Sequence, residues 1–297
     1  MNTAAQEIVI SVMTEPRTPL NGKICLVTGA TNGIGEVAAR ELAKQGAKVI
    51  IVGRSQKRCL DTATRIKEAT GNQQVEYLVA DLSVQKEVRQ LAEEFKSRYK
   101  RLDILINNAG AIFNKRQETA DGLEMTFALN HMSYFLITNL LLDTIRASAP
   151  SRIINTSSAG HQGAKIDFDD LQGKKKYGLM RAYGQSKLAN ILFTYELARQ
   201  LDGSGVSVNA LHPGFVKSGF GKNMSGIVGF FTGIIYLFGI SPEKGAKTIV
   251  YLATSNEVEN ITGKYFVKQK AVPSSKESYD RDAAKRLWDI SAQLAGL

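Results

Sequence analysis

Tyr183 and Lys187 stand four residues apart in Tyr183-Gly184-Gln185-Ser186-Lys187, and Leu188-Ala189-Asn190-Ile191-Leu192-Phe193 continues the pattern of a helix. Side chains four apart lie one helical turn above each other on the same face, so this phenol and this ammonium can share a site. A tyrosine ordinarily keeps its proton to about pH 10, and a fixed positive charge nearby favours the phenolate, moving the group toward a working acid/base range. The spacing alone is a weak signal. Tyr177 with Arg181 and Tyr195 with Arg199 repeat it, and for each a surface pair or stacked contact is the simpler expectation.

The elements that must position such a pair alternate along the chain. Ile24-Cys25-Leu26-Val27 is an apolar run of strand length, followed by Thr28-Gly29-Ala30-Thr31-Asn32-Gly33-Ile34-Gly35 and a helical pattern from Glu36 to Gln45. Strand, glycine turn and helix together point backbone N–H groups at a phosphate, although Gly-x-x-x-Gly-x-Gly departs from the common dinucleotide spacing. The next run, Lys48 to Val52, ends in Gly53-Arg54-Ser55. An acid there would grip the ribose hydroxyl of NAD. Arg54, with Lys57 and Arg58 as helpers, instead suits the 2'-phosphate of NADP.

Further strands are expected at Val75 to Ala80, Leu102 to Ile106, Arg152 to Thr156, Val206 to Leu211 and, last, Gly263 to Val267. Helices are expected at Val84 to Tyr99, Met125 to Ile145, Glu243 to Thr254 and Asp282 to Leu294. This alternation predicts an α/β fold: one doubly wound Rossmann domain over residues 21–297, its sheet mostly or wholly parallel and flanked by helices. Ligands of such sheets sit at the carboxyl ends of the strands, where Asp81-Leu82, Asn107-Asn108-Ala109-Gly110, Ser157-Ser158 and His212-Pro213-Gly214 fall.

Composition narrows the class. At 297 residues and 43% hydrophobic, the chain can bury one sizeable core. Cys25 and Cys59 form no disulfide or metal pattern, which suits a reducing compartment. His131, His161 and His212 lack zinc-ligand spacing, so no metal is expected. The net charge of +10 is spread along the chain apart from Lys174-Lys175-Lys176, which favours a solvated basic loop over a nucleic-acid surface.

Residues 1–20 read as a loose N-terminal extension, because Glu7 precedes their short apolar piece where a secretory signal would be basic. Ser225 to Ile240 holds sixteen residues without charge. As a helix it would reach only about 24 Å, short of the roughly 30 Å hydrocarbon core. An apolar substrate flap over 215–241 is the favoured reading, with contact at a membrane surface as the competing one.

Taken in order, Thr28-Gly29-x-x-x-Gly33-Ile34-Gly35, Asn107-Asn108-Ala109-Gly110, Asn130, Ser158, Tyr183-x-x-x-Lys187 and Pro213-Gly214 resemble the short-chain dehydrogenase/reductase superfamily from Lys23 onward. Asp170-Leu171-Gln172-Gly173, Ala182 to Asn190 and Leu287-Trp288-Asp289-Ile290-Ser291 make the chain most similar to the retinol dehydrogenase-like branch. The resemblance implies that Tyr183 exchanges a proton with the substrate oxygen and that Lys187 lowers its pKa and holds the nicotinamide ribose. It implies that Ser158 bonds the reacting oxygen, with the adjacent Ser157 an open alternative, and that Asn130 helps to position Lys187 through water.

It further implies an NADP(H) site made of Gly29, Thr31, Asn32, Gly33, Ile34, Gly35, Arg54, Arg58, Asp81, Leu82, Asn108, Ala109, Gly110, Tyr183, Lys187, Pro213, Gly214 and Val216. The leading expectation is an NADP-dependent enzyme interconverting an apolar alcohol with its aldehyde or ketone, cytoplasmic or peripheral to a membrane. A homo-oligomer is expected by resemblance alone. The alternative is an NADP(H)-binding sensor that works through a partner; an intact proton donor counts against it, since a sensor has no use for one.

Overall fold

A computed structural model describes residues 20–217 and 239–297. The N-terminal extension up to residue 19 and most of the expected flap lie outside the described residues.

The chain alternates as read from its pattern: β1 (Ile24–Thr28), α1 (Gly33–Lys44), β2 (Lys48–Gly53), α2 (Gln56–Thr70), β3 (Val75–Val79), α3 (Gln85–Arg98) and β4 (Ile104–Asn107). After a long connection come α4 (Met125–Phe127), a π-helical turn (Ala128–Met132), α5 (Ser133–Ala147), β5 (Ser151–Thr156), a 3-10 turn (Ala159–His161), α6 (Leu179–Gln200) and β6 (Val206–His212). The remainder is α7 (Pro242–Thr254), β7 (Lys264–Val267), β8 (Lys270–Val272) and α8 (Arg281–Ala295). The strands form one eight-stranded sheet in the order β3-β2-β1-β4-β5-β6-β7-β8, parallel throughout except for the final pair.

Parallel strands buried on both faces read as continuous apolar runs, and successive side chains then serve opposite cores. Leu26, Ile50 and Val52 pack with residues of α3, α5, α6 and α8 on one face. Cys25, Val27, Val49 and Ile51 pack with those of α1 and α7 on the other. The strand order reverses direction between β1 and β4, and the carboxyl ends of β1, β4, β5 and β6 converge there; this is where a doubly wound sheet opens its crevice.

Two expectations change. Lys264–Val267 is not the last strand, because β8 pairs back on it antiparallel across Lys268 and Gln269, both at positive φ (49° and 65°). Two-residue hairpin loops with positive φ at both positions normally carry Asn or Gly, and their absence here removes the sequence signal. The long helix over 125–145 is also not continuous: it contains the π turn, whose i→i+5 bonding inserts a register shift around Asn130.

Candidate active site

The glycine turn is shaped by close approach. Gly29 has φ 65°, and a Cβ on it would lie 2.6 Å from the Ala109 Cα; a Cβ on Gly35 would lie 2.5 Å from both Asn108 Nδ2 and the Gly29 carbonyl oxygen. Asn108 fastens the two loops together, donating Nδ2 to the Thr28 and Gly29 carbonyls at 3.0 and 3.2 Å. The Thr28 hydroxyl accepts from the amides of Asn108 (2.9 Å) and Ala109 (3.1 Å). Helix α1 begins at Gly33 after Asn32, and no side chain caps its first turn. Thr31, Asn32, Gly33 and Ile34 thus present an uncapped helix start, a ready partner for phosphate.

At the end of β2, a Cβ on Gly53 would lie 2.5 Å from Thr31 Cγ2 and 3.0 Å from Cys59 Sγ, so any side chain there would have to displace Thr31. Arg54 and Arg58 are exposed. Among the described residues neither guanidinium has an ion pair, whereas Lys57 is joined to Asp61 at 3.0 Å. Asp81 accepts from the amide and hydroxyl of Ser83 at 2.9 and 2.7 Å, which holds the turn after β3 and buries Leu82. At the end of β6, Gly214 has φ 93°, and Val216 bridges Ile240 in parallel register. The neck of the segment expected as a flap is therefore closed by backbone bonds, Lys217 N to Ile240 O and Ile240 N to Phe215 O, each 2.8 Å.

Tyr183, Ser158, Lys187 and Asn130 meet beside this crevice. The Ser158 hydroxyl accepts from the Gly160 amide at 3.1 Å, and a Cβ on Gly160 would meet both the Tyr183 ring (3.0 Å) and Ser158 Oγ (3.5 Å), so the two side chains converge over that glycine. Lys187 Nζ donates to the Thr156 carbonyl at 3.1 Å and lies 5.8 Å from the centre of the Tyr183 ring. Asn130 clamps the chain just after Gly110, accepting from the Ala111 amide and donating to its carbonyl, both at 2.9 Å. Its Nδ2 also donates, at 3.0 Å, to the Oγ of Ser186, the residue just before Lys187. The two serines separate: Ser157 is buried and donates to the Lys187 carbonyl at 2.7 Å.

The other tyrosine–arginine pairs do not converge. Tyr177 donates to the Phe113 carbonyl at 2.8 Å while Arg181 binds Asp167. Tyr195 bonds Ser274 at 2.7 Å while Arg199 binds Glu196.

Burial acts against charge on both members of the central pair. It pushes the Tyr183 phenol up, with the nearby Ser158 hydroxyl pulling it back, and pushes Lys187 down to about 7. The ammonium has three donors and, among the described residues, one acceptor, Thr156, which leaves two N–H groups for a ligand. With the glycine cradle and the uncapped α1 start, this donor set fits a dinucleotide with a ribose near Lys187. Among the described residues no cluster of His, Cys, Asp or Glu is grouped to hold a metal.

A family model described as short chain dehydrogenase matches residues 23–226. The chain belongs to the short-chain dehydrogenase/reductase family. Within it, this dehydrogenase falls in the retinol dehydrogenase-like branch: it is 45% identical to human retinol dehydrogenase 13 over 290 residues, covering 95% of this chain and 87% of that protein. A solved structure of an uncharacterised protein from Mycobacterium paratuberculosis matches with a TM-score of 0.76 at 30% identity, covering 94% of this chain and 96% of that one. A short chain dehydrogenase from Escherichia coli CFT073, solved as a complex with NADPH, matches with a TM-score of 0.66 at 25% identity, covering 86% and 100%. An oxidoreductase using a nicotinamide cofactor follows from this family membership. Among the described residues no helix is long and apolar enough to cross a membrane.

Several supporting residues escaped the sequence reading. Asn190 donates Nδ2 to the carbonyls of Asn130 (2.9 Å) and Thr156 (3.3 Å), tying the π turn to the strand end that holds Lys187. It lies three residues after Lys187 in an otherwise apolar run, and that polar interruption was the available signal. Tyr134 is buried with Lys187 Nζ 5.8 Å from its ring centre, and nothing in its helical pattern marked it.

Proposed function

We propose that this dehydrogenase interconverts an apolar alcohol and its aldehyde or ketone with NADP(H), Tyr183 serving as the general acid/base. The observation that carries the reading is the convergence of Ser158 and the Tyr183 ring over Gly160, with Lys187 Nζ 5.8 Å from the centre of that ring and bonded, among the described residues, to the Thr156 carbonyl alone. NADP(H), when bound, supplies or accepts the hydride. Ser158 holds the substrate oxygen, and Tyr183 delivers its phenolic proton to that oxygen in reduction or removes the proton in oxidation. Lys187 donates to the ribose hydroxyls and, when charged, stabilises the phenolate. Asn130 keeps Lys187 in register through Ser186 and carries the Ala111 backbone with it.

Preference for NADP over NAD is supported by Gly53, where any side chain would have to displace Thr31, and by Arg54 and Arg58, which have no ion pair among the described residues. An apolar, retinoid-like substrate is supported by the likeness to retinol dehydrogenases. The protein works at a membrane surface or free in the cytoplasm, and as a homo-oligomer by family likeness. The test is NADPH oxidation by purified protein with a panel of retinal-like, lipid and aromatic carbonyls, run in parallel with NADH. Turnover with apolar carbonyls and a clear preference for NADPH is the expected result; no oxidation with any of them would sink the proposal.

A further inference from the structure

His161, outside the four central residues, is fully buried beside the site with a definite partner at each ring nitrogen. His161 ends the 3-10 turn that follows Ser158. Its Nδ1 lies 2.6 Å from the Ser158 carbonyl oxygen and its Nε2 lies 3.1 Å from the Ser275 amide nitrogen. A carbonyl oxygen can only accept and an amide N–H can only donate, so both contacts are satisfied by one form of the ring: neutral, with the proton on Nδ1. The edge of the Tyr265 ring, 4.9 Å away between centroids, packs against the imidazole.

The turn so held is in contact with the tyrosine. A Cβ on Gly160 would lie 3.0 Å from Tyr183 Cε1, and one on Gly184 would lie 2.8 Å from the Gly160 carbonyl. Ser158 and Tyr183 are thus kept together by a turn with no room to shift toward α6. The His161 side chain and its own amide, at 3.2 Å, both hold the Ser158 carbonyl. Ser275 belongs to the chain after β8, beyond the stretch matched by the family model.

Resting on the reading of Ser158 as the hydroxyl that binds the reacting oxygen, we propose that His161 is a positioning residue. Its Nδ1–H, set by the Ser275 amide on Nε2, fixes the Ser158 backbone and so aims the Ser158 hydroxyl at the oxygen shared with Tyr183. The C-terminal segment thereby tunes proton transfer without touching substrate.

His161→Asn retains an N–H donor near the Nδ1 position, whereas His161→Gln reaches toward Ser275 and leaves the Ser158 carbonyl without its side-chain donor. The expected result is a kcat about tenfold or more below wild type for His161→Gln, and within about threefold of wild type for His161→Asn. NADPH affinity, read by fluorescence, should stay within about twofold for both. Equal losses in the two variants, or wild-type kcat in both, would overturn the proposal. A second arm needs no turnover. Nitrogen-15 NMR of the histidine-labelled full chain at pH 7, assigned by the signal lost in His161→Gln, should show a protonated Nδ1 and a bare Nε2. The opposite tautomer or an imidazolium contradicts the inference. Absence of any wild-type turnover would instead fail the functional reading while leaving this arm decisive.

Discussion

Ser157 donates its hydroxyl hydrogen to the main-chain carbonyl of Lys187 at 2.7 Å, joining the end of β5 to the middle of α6. Adjacent residues on an extended strand point to opposite sides, so this bond leaves Ser158 to face Tyr183. Ser158→Ala should therefore lower kcat by about 10²-fold or more, as loss of a donor to a developing oxyanion does. Ser157→Ala should cost about 1–2 kcal/mol of stability with a much smaller change in kcat. Steady-state kinetics beside chemical denaturation separates the two, and a larger kcat loss in Ser157→Ala would reverse the assignment.

Lys187 is held near 7 by burial, so at pH 8 the free protein carries it mostly neutral. An anionic dinucleotide that accepts from this group favours the charged form. NADP binding at pH 8 should take up a proton, read as a dependence of the binding heat on the ionisation enthalpy of the buffer. The same titration of Lys187→Met should show no such dependence.

Arg54 stands exposed at the end of β2 without an ion pair among the described residues. Arg54→Ala should raise KM for NADPH by about 10-fold, the scale of a charge-assisted contact to phosphate, and leave KM for NADH nearly unchanged. Equal effects on both cofactors would remove Arg54 from the 2'-phosphate. Arg58→Ala, in the first turn of α2, should give a smaller effect in the same direction.

His131 is fully buried, with Nδ1 3.4 Å from Asn190 Oδ1 and Nε2 3.0 Å from Ser291 Oγ. Burial lowers its pKa from 6.5 to about 4. The unfolded chain binds the proton first, so stability from the neutral ring is whole above pH 6.5 and is lost as pH falls toward 4. That displacement is worth on the order of 3 kcal/mol. Equilibrium unfolding between pH 7 and 4 should steepen less in His131→Gln than in wild type.

Periodic features were legible in the residues. The apolar runs of β1 to β7 and the glycine turn could be read because burial on both faces and close backbone approach each demand a residue type at a fixed place. The π turn at Asn130 and the hairpin at Lys268-Gln269 could not, since neither carries a distinctive residue. Long-range partners were equally hidden: the Asn190, His131 and Ser291 chain joins positions up to 160 residues apart. At the central pair, spacing foretold proximity, whereas the electrostatics depended on burial. Desolvation brings Lys187 to about 7, so its charge is weaker support for a phenolate than helix geometry alone suggests.

The central claim concerns the phenol of Tyr183, whose ring lies beside Ser158 and has its centre 5.8 Å from Lys187 Nζ. Single-turnover reduction of a retinal-like aldehyde by protein preloaded with NADPH isolates the chemical step. For Tyr183→Phe the rate should fall by about 10³-fold or more, with NADPH affinity within about threefold of wild type. A Tyr183→Phe rate close to wild type would contradict the account.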